Sequence, residues 1–102
     1  MTRNKLDPDE RVLAGLYKER DIVMYSTSGC GYCRMAVELF QRANIPYTEY
    51  KVGQHLTKED VRAKLGVENL TFPQVYYKGE HLGGLIDTAK YFQDNGFVWP
   101  LR

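Results

Sequence analysis

The chain has 102 residues, of which 43% are hydrophobic and 26% charged, and its formal net charge is +1. That length bounds it to one compact domain, residues 1–102; the bulk charge makes no case for nucleic acid, and no apolar run approaches the roughly 18 residues of a membrane span. Met1 to Lys5 is polar and lacks the apolar core of a signal peptide, so the expectation is a cytoplasmic protein, where a cysteine pair serves catalysis or a metal more often than it staples a fold.

Asp7-Pro8-Asp9-Glu10 reads as a helix start, with Asp as the cap and Pro at the first helical position. Val12, Leu13, Leu16 and Tyr17 fall on one face, which predicts an amphipathic helix from about Pro8 to Glu19. A strand follows from about Asp21 to Ser26, then a Thr27-Ser28-Gly29 loop. The second predicted helix spans Gly31 to Ala43, with Met35, Ala36, Leu39, Phe40 and Ala43 as its apolar stripe, and Pro46 prevents its continuation. Tyr47 to Val52 alternates as a strand. Thr57 with Asp60 marks another helix start, a variant of the capping box; Val61 and Leu65 mark its inner face, and Gly66 stops it. Gln74 to Lys78 is a strand, Gly79-Glu80 a tight reversal, and His81 to Leu82 or Gly83 a short return strand. A last helix covers about Ile86 to Asp94, closed by Asn95-Gly96. Val98, Trp99 and Leu101 of the tail are expected to pack back on the domain. The order is αβαβαββα, with the first two strands parallel through a right-handed crossover and the last two a hairpin.

Cys30-Gly31-Tyr32-Cys33 lies between the first strand and the second helix. In that context C-x-x-C reads as a redox pair. A helix starting near Cys30 places this thiol among unpaired backbone N–H groups at the positive end of the dipole, which holds its pKa below the free value of about 8.5. Cys33, three positions on, shares the helix face and can reach it.

Two further segments join this motif: Thr71-Phe72-Pro73-Gln74 before the third strand and Gly83-Gly84-Leu85-Ile86-Asp87 entering the last helix. With all three at these intervals, about Asp21 to Asn95 closely resembles the glutaredoxin family. The resemblance implies a thioredoxin-like α/β fold, a four-stranded mixed sheet flanked by helices, to which this chain adds an N-terminal helix. It implies a glutathione-dependent thiol–disulfide oxidoreductase in which Cys30 attacks and Cys33 resolves. Tyr32, Thr71, Phe72, Pro73, Gly84, Leu85, Ile86 and Asp87 then bind glutathione or the substrate. Pro73 matches a cis proline, the Phe72 backbone pairs with the tripeptide like an added strand, and the Gly84–Asp87 segment meets the γ-glutamyl end. By the same resemblance the partners are glutathione and disulfide-bearing proteins, with ribonucleotide reductase a candidate, and the protein acts as a monomer.

Three positions depart from the family pattern. Gly31 stands where Pro is usual, Thr27 where Lys or Arg is usual, and Leu70 where Arg is frequent. Arg34, Lys51, Lys58 and Arg62 are the cations available to replace the last two. Other readings stay open. A structural disulfide would close too short a loop to stabilise much. A zinc site would need His55 and His81, 26 positions apart, where finger motifs space them by a few. An iron–sulfur carrier would bridge a [2Fe–2S] cluster across a dimer through Cys30 with glutathione as co-ligand, and Gly31 permits it. A thioredoxin-like protein reduced by a flavin enzyme would carry Trp before the first cysteine and Gly-Pro between the two. His55, His81 and the charge cluster Lys58, Glu59, Asp60, Arg62, Lys64 read as surface.

Overall fold

A computed structural model describes residues 20–97. The expected first helix and the tail residues Val98, Trp99 and Leu101 lie outside them. Seven elements follow in order: β1 (Ile22–Ser26), α1 (Gly31–Ala43), β2 (Tyr47–Lys51), α2 (Lys58–Leu65), β3 (Gln74–Tyr77), β4 (Glu80–Gly83) and α3 (Leu85–Asp94). The sheet order is β2-β1-β3-β4. β1 runs parallel to β2 and antiparallel to β3, and β3 and β4 form an antiparallel hairpin.

All five residues of β1 are buried, as expected of a central strand covered on both faces. Ile22 and Met24 point to one side, where they pack with Cys33, Ala36 and Phe40 of α1 and Phe92 of α3. Val23 and Tyr25 point to the other and meet Val61 of α2. Among the described residues, two helices therefore cover one face and one helix the other. Phe40 and Phe92 are fully buried, with ring centroids 6.0 Å apart. Burying each contributes about 1.5–3 kcal/mol, so this pair fixes α1 against α3.

The helix ends follow their local chemistry. Thr57 caps α2, and its side chain and that of Asp60 exchange bonds with each other's backbone N–H, satisfying two orphan donors reciprocally. Asn44 ends α1 in the left-handed region (φ 60°) and Gly66 ends α2 there (φ 70°).

Four expectations change. Met35 is 52% exposed, because the buried positions of α1 are Cys33, Ala36 and Phe40; the buried stripe is rotated away from Met35. The reversal between β3 and β4 is Lys78-Gly79, both with positive φ (50° and 86°), as a two-residue hairpin turn of the primed kind demands. Glu80 therefore starts β4 opposite Tyr77. β2 stops at Lys51, and Val52 makes only an isolated bridge to Leu56. His55 is half-buried: its Nδ1 accepts a 2.8 Å bond from the Lys51 N–H, and its ring meets Tyr50 edge-on.

Candidate active site

The register brings the three motifs to one end of the sheet. Ser26, the last residue of β1, pairs with Lys51; Tyr25 pairs with Gln74 at the start of β3, and Val75 with Gly83 at the end of β4. The segments leaving or entering these strand ends carry Cys30, Phe72-Pro73 and Gly84 to Asp87. This end of the sheet, outside the carboxyl ends of its parallel strands, is where open α/β sheets place their ligands.

Cys30 is the N-cap of α1, with extended backbone (φ −95°, ψ 104°). Its Sγ accepts from the Cys33 N–H at 3.1 Å, and its carbonyl accepts from the Arg34 N–H at 3.3 Å. Cys30 and Cys33 form a disulfide, with Cα atoms 5.2 Å apart. An anion at Cys30 gains a charge-assisted bond and the dipole of a 13-residue helix. The two sulfurs are not equivalent, because Cys30 is half-exposed while Cys33 is 4% exposed and part of the core.

The Phe72–Pro73 peptide bond is cis and Pro73 is fully buried. Thr71 ahead of it is exposed and is held from below. Gln74 Nε2 donates to the Thr71 carbonyl (2.9 Å) and hydroxyl (3.2 Å), and Gln74 Oε1 lies 2.8 Å from His81 Nε2. His81, exposed as expected, stacks on Tyr76 with centroids 4.8 Å apart. A β4 side chain thus braces the loop that presents Phe72.

Gly84 caps α3 without a side-chain bond, so the amides of the first turn remain available to an anion. A Cβ on Gly84 would stand 3.6 Å from the Pro73 carbonyl, and one on Gly83 would stand 2.5 Å from Asp87 Oδ2. The Asp87 carboxylate therefore folds back over Gly83. Tyr32 is 65% and Ile86 81% exposed at the starts of α1 and α3.

On the β2 side of the disulfide lies a cavity of about 220 Å³. Thr27, Cys30, Cys33, Arg34, Glu49 and Lys51 are among its walls. Of the four candidate cations, Arg34 and Lys51 reach the cysteines' surroundings. Arg62 is paired with Glu59 at 3.2 Å and donates to the Glu68 carbonyl, and Lys58 lines a separate hollow at the start of α2. Glu49 escaped the sequence reading. The signal was available: it shares the phase of Tyr47, which packs on Phe40, so it is an acid on the strand face turned to α1. Among the described residues no group of three or more His, Cys, Asp or Glu could hold a metal ion, and no helix is long and apolar enough to cross a membrane.

The glutaredoxin family model matches residues 22–82. The chain is 34% identical over 74 residues to hybrid peroxiredoxin hyPrx5 of Haemophilus influenzae, covering 72% of this chain and only 30% of that protein. It is 29% identical over 79 residues to glutaredoxin 1 of Escherichia coli, covering 72% of this chain and 93% of the relative. Among solved structures it is similar to a buckwheat glutaredoxin–glutathione complex, with 25% identity, TM-score 0.65 and coverage of 76% of this chain and 73% of that one.

Proposed function

Because the chain belongs to the glutaredoxin family and is a dithiol, glutathione-dependent disulfide reductase, we propose the following division of labour at its site. The Cys30 thiolate attacks the glutathione sulfur of a mixed disulfide and releases the substrate thiolate. A second glutathione attacks the Cys30–glutathione disulfide, releasing oxidised glutathione and restoring the thiolate. On protein disulfides Cys33 displaces the substrate from Cys30, leaving the Cys30–Cys33 disulfide for two glutathiones to reduce. One observation carries this assignment: the cap sulfur is accessible and bonded by an N–H, whereas its partner is 4% exposed. Attack from outside requires access, and resolution from one turn along the helix does not.

Glutathione lies along the cis-proline loop, its backbone paired with Phe72, beside Thr71 and Pro73 and flanked by Tyr32. Its γ-glutamyl carboxylate meets the amides of Gly84, Leu85 and Ile86, and its amine meets Asp87. The complex named for the buckwheat relative supports a glutathione site in this fold. Substrates are mixed disulfides and protein disulfides, with ribonucleotide reductase a candidate, and the setting is the reducing cytoplasm, where the protein acts as a monomer. A bridging [2Fe–2S] cluster would draw on Cys30 from each chain with glutathione as co-ligand.

The test is a pair of substitutions. Cys30→Ser abolishes all exchange. Cys33→Ser keeps glutathione-dependent turnover of a small glutathione mixed disulfide and loses reduction of protein disulfides. Equal loss in both variants on the small substrate would overturn the assignment.

A further inference from the structure

Cys33 poses a problem of proton transfer. It is 4% exposed and sits in the core cluster with Ile22, Met24, Ala36 and Phe40. When it displaces glutathione from Cys30 its sulfur must lose a proton, and buried this way it has little contact with bulk water. Its outlet is the cavity on the β2 side, about 220 Å³ in volume. A water occupies about 30 Å³ in the liquid, so several fit.

Glu49 stands in the wall of that cavity with both cysteines. One carboxylate oxygen, Oε2, accepts a 2.6 Å bond from the hydroxyl of Ser26, which is fully buried at the end of β1. The other has no protein partner among the described residues. The carboxylate is thus anchored at one oxygen and open at the other. The groups facing it are Cys30, Cys33 and Arg34 from α1, Ser26 from β1, and Lys51 from its own strand. The two cations, Arg34 and Lys51, share the cavity with it.

We propose that Glu49, through water in this cavity, takes the proton of Cys33 as it resolves the mixed disulfide, and returns it when the Cys30–Cys33 disulfide is reduced. In the forward step the Cys33 sulfur bonds to Cys30 sulfur, the bond to glutathione breaks, and glutathione leaves as thiolate. The proton passes from Cys33 to Glu49 and then to solvent. No electrons enter or leave beyond the exchanged disulfide. Ser26 positions the acceptor.

The inference rests on the assignment of Cys30 as attacker and Cys33 as resolver, so the experiment separates the two steps. Reduced protein is reacted with oxidised glutathione, and uptake and release of labelled glutathione are followed in single turnovers from pH 5.5 to 9. In Glu49→Gln, release slows by about tenfold near neutral pH, below the roughly 10²–10⁴-fold of a general base in direct contact, since water intervenes. The penalty on uptake at Cys30 is several-fold smaller. The gap closes as pH rises, where hydroxide can take the proton in place of the carboxylate. Ser26→Ala, which leaves the acid in place but unanchored, slows release less. Glu49→Asp keeps the pH dependence. Equal penalties on uptake and release, or release at the wild-type rate in Glu49→Gln, overturn the proposal. Should Glu49→Gln not fold, release at the wild-type rate in Ser26→Ala overturns it as well. Failure of the wild type to take up glutathione at Cys30 would instead overturn the assignment on which it rests.

Discussion

Replacing Gly83 by Ala tests the construction of the α3 end of the site. Gly83 has φ 116°, and an added Cβ would stand 2.5 Å from Asp87 Oδ2 and 3.1 Å from Asp87 Cβ. The backbone strain costs about 1–3 kcal/mol. Asp87 is exposed, so it escapes by leaving its rotamer, which adds about 0.5–1.5 kcal/mol. The sum, about 1.5–4.5 kcal/mol, corresponds to a fall in melting temperature of about 7–21 °C for a chain of this size. Gly79→Ala supplies the control. Its φ is 86° but nothing lies within 4 Å of its added Cβ, so it meets the backbone cost alone. Thermal unfolding of both single variants and of Gly83→Ala/Asp87→Ala completes the set. The double variant regains the part due to Asp87, because the obstructing carboxylate is gone. In the folded Gly83→Ala protein the KM for glutathione rises, since Asp87 can no longer lie over residue 83, whereas Gly79→Ala leaves it unchanged. Equal destabilisation by Gly83→Ala and Gly79→Ala, with no recovery in the double variant, would refute the reasoning.

Two further substitutions bear on the departures at the redox motif. Gly31→Pro occupies the first position of α1, where nothing lies within 4 Å of an added Cβ and the preceding Cys30 is already extended; it should stabilise by about 0.4–1 kcal/mol, read by thermal unfolding, and destabilisation would show that the helix start has no room for it. Thr27→Lys adds a cation to the wall of the Cys30 cavity. It should raise the thiolate fraction of Cys30, followed by ultraviolet absorbance, and lower the KM for glutathione by no more than a few-fold, consistent with about 0.2–1 kcal/mol for an exposed pair. That gain shrinks with salt; if neither quantity moves, Arg34 or Lys51 already fills the role.

Where one residue type dictates local geometry, the sequence was readable. The apolar run of β1, the Thr57–Asp60 box and the cap at Cys30 needed only periodicity and capping chemistry. Met35 misled because an apolar residue at helical spacing does not say how wide the buried stripe is. Lys78 misled because a lysine carries no signal for positive φ; the demand comes from pairing β3 with β4. The gathering of Cys30, Phe72-Pro73 and Gly84–Asp87 at one sheet end was legible through the family resemblance and needed strand order to be seen directly. The Ser26–Glu49 contact was not legible, since it joins neighbouring strands 23 positions apart in sequence and looks on each strand like an ordinary polar residue.

The membership of Cys33 in the same packed cluster as Phe40, Val75 and Phe92 ties electron exchange to folding. Oxidised and reduced forms differ at a sulfur that touches the interior, so any change in how the interior fits that sulfur alters the two stabilities unequally. Their difference sets how far the reduction potential departs from that of the unfolded chain, at about 30 mV for each 1.4 kcal/mol. A substitution at Phe92, on another helix and outside the candidate site, can therefore retune the couple while leaving every candidate site residue in place. The potential of this domain belongs to its hydrophobic interior as much as to the four residues that carry the thiols.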